Sequence, residues 1–205
     1  MARGLLLSLG GNALIRPGEE GDVAQQVSRA RETFGTLLPL ILQHERCLLV
    51  HGNGPQVGNE LLRSEVAEQE GGLFHLPLDV LVADCQGTMG YMLQRELGNL
   101  LLAAGDEREV VTVVTQVRVD AGDPAFDRPS KPVGRVHDPA AAEDLCKRFG
   151  WTRVEDAGRG LRRVVPSPRP LSVVEADAVA ALWAQGALVI AGGGGGIPVV
   201  ERGRG

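Results

Sequence analysis

Short apolar runs that end at glycine alternate along this chain with longer stretches in which apolar residues recur at helical spacing. The runs Gly4–Leu9, Cys47–His51 and Ala187–Ala191 have the length and composition of buried strands. Between the first two runs, apolar residues from Val23 to Leu42 recur every three or four positions, as on one face of a helix. Buried strands that alternate with helices are typical of α/β proteins. The pattern predicts a three-layer, open and mainly parallel sheet with helices on both faces.

The same pattern predicts the remaining elements of the main fold. Asp22 is expected to cap the first helix, and the segments 55–70 and 78–104 are expected to be helical. The sequence EVVTVVTQVRV, from Glu109 to Val119, predicts one further strand.

The segment 120–170 interrupts this alternation because it is rich in proline, glycine and arginine. Its one helix signal is Asp138 as cap followed by Pro139 in the first turn. After it, a capping box of Ser172 and Glu175 is expected to start another helix. We therefore predict one α/β domain over 1–205, with a small excursion subdomain over 120–170.

Composition excludes several classes of function. The chain has 205 residues, a net charge of −5 and only 3% aromatic residues, which argues against a nucleic-acid or anionic-membrane partner. No apolar run approaches the roughly 18 to 20 residues of a membrane span. The three cysteines, Cys47, Cys85 and Cys146, show no zinc-ligand spacing and favour a reducing cytosol. We predict a cytoplasmic protein with no metal-ligating residues.

Three glycine-rich loops follow predicted strands: LGGNA, HGNGPQVG and AGGGGGIP. In an open parallel sheet, ligands bind beyond the carboxyl ends of the strands, so these loops are expected to converge on one cleft. Glycine there lets backbone N–H groups approach an anion closely, although tight strand-to-helix turns also require glycine. Neither GxxxxGK[ST] nor a GxGxxG motif at a strand-to-helix turn is present.

The blocks SLGGNAL, HGNGPQVG, VVTQVRVDAGDPAF, RPSKPVG, GRGLRRVVPSPRP and VIAGGGGGIPVV resemble, in order, the signature blocks of the carbamate kinase family. This family belongs to the amino acid kinase superfamily, so the resemblance implies that the domain over 1–205 is an amino acid kinase-like substrate domain. The resemblance implies a homodimeric enzyme of arginine metabolism that transfers a phosphoryl group between carbamoyl phosphate and ADP. The products are ATP and carbamate, which decomposes to ammonia and carbon dioxide. ATP or ADP with Mg²⁺ would be the substrate complex, with no tightly bound cofactor.

The resemblance also implies roles for the loop residues. The transferred phosphoryl group would lie against Gly10, Gly11 and Asn12, the last two being catalytic together with Lys131. The facing wall, near the carbamoyl group, would be Gly52, Asn53 and Gly54. The phosphate or nucleotide side would be Gly193, Gly194, Gly195 and Gly196.

Lys131 is the most informative charge, because the chain has 21 basic residues and only Lys131 and Lys147 are lysines. A lysine within RPSKPVG indicates a need for a compact ammonium group and resembles the substrate-binding lysine of the family. We expect Lys131 on a loop, and the alternative to a binding role is a solvated lysine on that surface loop. Lys147 lies in the predicted helix AEDLCKRFG, and we interpret it as solvated. His51 is open to two interpretations, a hydrogen bond across the cleft or a structural role.

The helical stretch 78–104 is apolar over more than one face, which favours a helix-mediated homodimer. The apolar residues concerned are Leu81, Val82, Cys85, Met89, Met92, Leu93, Leu97 and Leu100.

Members of the family continue for about another third of their length after the GGGGIPV block. The resemblance implies that this remainder carries the nucleotide half, with an Asp-Lys-Asp motif, a further lysine and the groove for adenine and ribose. A chain that was cut and a protein that ends here both fit the sequence. Two other functions therefore stay open beside carbamate kinase. One is a non-catalytic binding or assembly module, and the other is a superfamily kinase for another small acid. The direction of flux is also undetermined.

Overall fold

The computed structural model describes residues 4–10, 13–16, 18–156 and 158–201. The chain forms two compact units. The first comprises residues 1–53, 82–117 and 172–197, and the second comprises residues 54–81, 118–171 and 198–205.

The helices and strands follow one another as an α/β chain. The helices are α1 (Val23–Leu42), α2 (Gly54–Gly71), α3 (Leu78–Ala103), α4 (Pro139–Phe149) and α5 (Ala176–Ala184). The strands are β1 (Gly4–Leu9), β2 (Arg46–His51), β3 (Val110–Thr112), β4 (Gln116–Val119), β5 (Lys131–His137), β6 (Thr152–Glu155), β7 (Leu161–Val165), β8 (Pro170–Val173), β9 (Leu188–Ile190) and β10 (Ile197–Val199).

The first unit is built on a four-stranded sheet with the order β1-β2-β9-β3. Every neighbouring pair in this sheet is parallel; for example, Leu9 lies opposite His51 and Thr112 opposite Ile190. The parallel sheet confirms the predicted α/β class. It also places the carboxyl ends of these strands at one edge.

Both faces of this sheet are covered by helices. On one face α1 and α3 contribute buried residues such as Phe34 and Leu97, which pack with Leu49 of β2. On the other face α5 packs through Trp183 and its neighbours against Val189. The sandwich of helix, sheet and helix agrees with the three predicted layers.

Apolar residues of α3 supply much of this core. Several α3 residues that the sequence analysis assigned to a dimer surface are buried within the chain itself. They are Leu81, Cys85, Met89, Met92, Leu93 and Leu97. The apolar side chains that α3 leaves most exposed are instead Tyr91 and Leu102.

Two local predictions were wrong. The single strand expected over Glu109–Val119 is divided into β3 and β4, which belong to different sheets. Ser172 lies in β8, and Glu175 makes no capping hydrogen bond through its side chain. That carboxylate instead accepts hydrogen bonds from the backbone N–H and the side chain of Gln116, at 2.7 and 2.8 Å.

The second unit contains an antiparallel sheet with the order β5-β7-β6, together with α4. Asp138 caps α4 as predicted, accepting from the N–H of Ala141 at 3.0 Å. Gly150 ends the helix in the left-handed conformation, with φ of 65°. The division into a domain over 1–205 and a subdomain over 120–170 stays a prediction. In the part of the chain that the structure describes, no helix is both long and apolar enough to span a membrane.

Candidate functional site

Glycine loops of the first unit follow adjacent strand ends. Gly10 follows β1, Gly52 and Asn53 follow β2, and the glycine run 192–196 begins two residues after β9. The N–H of Gly52 donates to the carbonyl of Leu9 at 2.9 Å, which ties the second loop to the end of β1. The loops are neighbours because β1, β2 and β9 are parallel and adjacent.

Residues of the second loop lie directly against the glycine run. A Cβ atom on Gly193 would be 2.8 Å from both Cε1 and Nε2 of His51. A Cβ atom on Gly194 would collide with the side-chain amide of Asn53, and its φ of +64° also disfavours other residues. At these two positions glycine is therefore required by close packing.

Most N–H groups of the glycine run are already used within the protein. The N–H of Gly195 donates to the carbonyl of Gly192 at 3.0 Å, and that of Gly196 to the carbonyl of Gly193 at 3.1 Å. The N–H of Gly192 donates to Oγ1 of Thr115 at 2.8 Å. Among the described residues, the N–H groups of Gly193 and Gly194 have no acceptor. Any anion bound by this loop would meet these two groups first.

Thr115 and Gln86 form a buried pair beneath the glycine run, with exposures of 0% and 1%. Oε1 of Gln86 accepts from the backbone N–H of Thr115 at 2.8 Å and from its hydroxyl at 3.2 Å. Nε2 of Gln86 donates to the carbonyl of Thr115 at 3.1 Å. Sequence reasoning missed both residues. The only signal was a glutamine among the apolar positions of α3.

His51 is 5% exposed, and its burial lowers the pKa of the imidazole below the ordinary 6.5. Its Nδ1 lies 2.9 Å from the carbonyl of Gly52. Because a carbonyl only accepts, Nδ1 is the donor and Nε2 of the neutral ring carries the lone pair. His51 is thus neutral above its lowered pKa, and the Cε1–Nε2 edge of its ring borders the Cβ position of Gly193.

Lys131 belongs to the second unit and begins β5, where it lies opposite Val165 of β7. It was expected on a loop, so its placement on a strand corrects that expectation. Its side chain is exposed, and no carboxylate of the described residues forms an ion pair with it. Lys147 differs, because its Nζ lies 2.7 Å from Glu143 on the exposed side of α4. The structure therefore separates one paired lysine from one that has no ion-pair partner among the residues described.

The remaining predicted site residues fall in different places. Gly11 and Asn12 lie outside the described residues. Gly54 is the first residue of α2 and belongs, with Lys131, to the second unit. The structure brings Asn53 and the glycine run together in the first unit.

The two central arginines of GRGLRRVVPSPRP behave differently within the second unit. Arg162 forms an ion pair with Asp156 at 3.3 Å, as expected for a structural arginine. Arg163 instead stacks on Trp151, with its guanidinium carbon 4.3 Å from the ring centre. Burial lowers its pKa, and the buried carboxyl of Glu65 partly opposes this effect. Within the described ranges, no group of three or more His, Cys, Asp or Glu side chains could hold a metal ion.

No protein-family model matches the chain. Curated relatives do match. The chain is 46% identical over 199 residues to the carbamate kinase of Thermococcus kodakarensis, spanning 97% of this chain and 63% of that protein. It is 44% identical over 198 residues to the carbamate kinase-like protein YahI of Escherichia coli, spanning 96% of this chain and 62% of the relative.

A solved structure agrees with this relationship. The carbamate kinase of Giardia lamblia bound to AMP-PNP matches with a TM-score of 0.89 and 38% identity, over 98% of this chain and 63% of that one. The fold is that of the amino acid kinases. By sequence and structure, the chain is similar to carbamate kinases over nearly its whole length, and it spans somewhat under two thirds of the length of the proteins that it matches.

Proposed function

We propose that this chain carries the carbamoyl phosphate side of a carbamate kinase reaction. The phosphoryl group moves reversibly between carbamoyl phosphate and ADP. In the ATP-forming direction, the bond between phosphorus and the carbamoyl oxygen breaks as a terminal ADP oxygen bonds to phosphorus. Carbamate leaves with the electron pair and decomposes to ammonia and carbon dioxide.

The observation that carries this proposal is the agreement between the sequence similarity to carbamate kinases and the placement of the glycine loops. The glycine loops, in the order in which the family has them, follow neighbouring ends of one parallel sheet. Phosphoryl transfer depends on positioning and charge neutralisation more than on covalent chemistry, which suits a site built from backbone N–H groups and a lysine.

Each element has a role in this proposal. The N–H groups of Gly193 and Gly194 bind a phosphate oxygen, because those of Gly192, Gly195 and Gly196 already donate hydrogen bonds within the protein.

The other two loops hold the rest of the substrate. Gly10, Gly11 and Asn12 cradle the transferred phosphoryl group, and Gly52, Asn53 and Gly54 border the carbamoyl moiety. Lys131 neutralises an anionic oxygen, and Mg²⁺ arrives with the nucleotide as part of the substrate complex. The wider setting that we propose is a cytoplasmic homodimer in arginine metabolism.

Binding is the appropriate test, since the chain spans about 63% of its relatives. Calorimetric titration with carbamoyl phosphate should show saturable binding that acetyl phosphate does not match. Tighter binding of acetyl phosphate would favour a kinase for another small acid. A chain that binds neither compound, at concentrations that saturate a known carbamate kinase, would contradict the proposal. ATP formation from carbamoyl phosphate and MgADP, measured in parallel, reports whether this chain also turns over.

A further inference from the structure

Thr115 contacts both ends of the glycine run. Its hydroxyl oxygen accepts from the N–H of Gly192 at 2.8 Å, where the run begins. Its carbonyl accepts from the N–H of Ile197 at 3.0 Å, directly after the run ends. Thr115 therefore holds the chain at both ends of the loop 192–196.

Gln86 in turn holds Thr115 through its whole side-chain amide. Oε1 accepts from the backbone N–H and the hydroxyl of Thr115, and Nε2 donates to its carbonyl. Gln86 is 1% exposed, so water is not available to replace these bonds. The hydroxyl proton of Thr115 is directed to Gln86, which leaves the oxygen lone pairs for the N–H of Gly192.

This arrangement also explains the break between β3 and β4. An uninterrupted strand would engage the N–H and carbonyl of Thr115 with neighbouring strands. Here the N–H of Thr115 faces Gln86 instead, and its carbonyl accepts from both Gln86 and the N–H of Ile197 in β10. The chain leaves the four-stranded sheet after Thr112 and enters a different sheet at Gln116. The cost of the interrupted ladder is offset by hydrogen bonds that serve the glycine loop.

We infer that Gln86 and Thr115 are positioning residues for the phosphate-binding loop, acting by holding the N–H groups of Gly193 and Gly194 in a fixed direction. This inference rests on the proposed function for its phosphate, but not for the contacts themselves. Backbone dipoles stabilise a phosphate strongly only when they are oriented before it binds, because then no reorganisation is required. A loop of consecutive glycines has the greatest backbone freedom to lose, so it depends most on such external fixation.

Three variants separate positioning from simple packing. Thr115→Val keeps the shape but removes the hydroxyl, whereas Thr115→Ser retains it. Gln86→Met removes the amide at similar length. The matched control is Thr36→Val on α1, which removes an exposed hydroxyl that donates to the carbonyl of Glu32 at 3.1 Å.

The first measurement is amide hydrogen exchange of residues 192–197 in the free chain, which needs no ligand. Thr115→Val and Gln86→Met should accelerate exchange at Gly192 and Ile197 by about tenfold through local opening. Thr115→Ser and Thr36→Val should stay close to the original chain. Unchanged exchange in both Thr115→Val and Gln86→Met would overturn the inference.

The second measurement is the affinity for ADP, with unfolding by urea monitored to confirm that each variant is folded. ADP should bind about tenfold more weakly to Thr115→Val, and Thr115→Ser should restore most of the affinity. If exchange in the loop becomes faster while the affinity for ADP is unaltered, Gln86 and Thr115 only support the structure of the loop. This result would overturn the positioning role. If the unmodified chain does not bind ADP, the proposed function of the loop fails together with that role. The exchange data would still decide whether the pair holds the loop.

Discussion

The ring of His51 fills the space into which a side chain at Gly193 would project, with Nε2 2.8 Å from that position. This contact joins the loop after β2 to the loop after β9. It shows that glycine at position 193 is required by packing against a neighbouring side chain, independently of any ligand.

Gly193→Ala should therefore destabilise the chain. The added methyl group collides with the buried ring of His51 and with Cγ of Gln86, neither of which has space to move. Overpacking of this kind costs about 1 to 3 kcal/mol of unfolding free energy. Urea denaturation of the variant and the original chain measures this difference.

Gly35→Ala is the matched control, because Gly35 lies within α1 and has nothing near its Cβ position. The substitution should stabilise the chain by about 0.5 to 1 kcal/mol, as alanine does within helices. Equal stability of Gly193→Ala and the original chain would mean that His51 does not press on this loop.

His51 should also make stability depend on pH. Burial lowers the pKa of its imidazole below the ordinary 6.5, so the folded chain keeps it neutral where the unfolded chain protonates it. The unfolded state then binds more protons, and the free energy of unfolding should fall as the pH decreases below about 6.5. Burial lowers the pKa of His75 and His137 as well, which gives the same sign.

His51→Gln should make this pH dependence shallower, because one of the contributing imidazoles is gone. Comparison at pH 8, where the imidazole is neutral in both states, isolates the effect of altered packing. Chemical denaturation at several pH values between 5.5 and 8 provides the data. A slope identical to that of the original chain would show that His51 titrates alike in the folded and unfolded states.

The proposed homodimer would use the exposed side of α3. Tyr91 and Leu102 are 63% and 73% exposed and lie about three turns apart on one face of the helix. The double substitution Tyr91→Glu and Leu102→Lys should convert a dimer to a monomer, with little loss of stability because neither side chain is in the core. Light scattering at micromolar concentration distinguishes the two states. A monomer already in the unsubstituted chain would refute the dimer.

The sequence was informative wherever one local signal dominated. Asp138, Pro139 and Gly150 mark both ends of α4, and each acts through its immediate backbone neighbours. Runs such as Leu188–Ile190 are apolar throughout because both faces of the sheet are covered, and the strand was predicted for that reason.

Prediction failed where a distant partner decided the structure. Thr115 lies in a continuous β-branched run, yet a glutamine on α3 draws it out of the sheet and divides the strand. Glu175 has the spacing of a capping box, but Gln116 engages its carboxylate. Since neither partner is near in sequence, local pattern alone does not reveal these contacts.

Lys131 carries the central claim, because the proposed substrate is an anion and this lysine has no ion-pair partner among the described residues. The decisive measurement is the titration of the chain and of Lys131→Ala with carbamoyl phosphate, with Lys147→Ala as control. We expect Lys131→Ala to weaken binding at least about tenfold, or about 1.4 kcal/mol, and Lys131→Arg to restore only part of it. Lys147→Ala, which loses only an exposed pair with Glu143, should bind as the original chain does. Equal affinity in the original chain and both alanine variants would contradict the account.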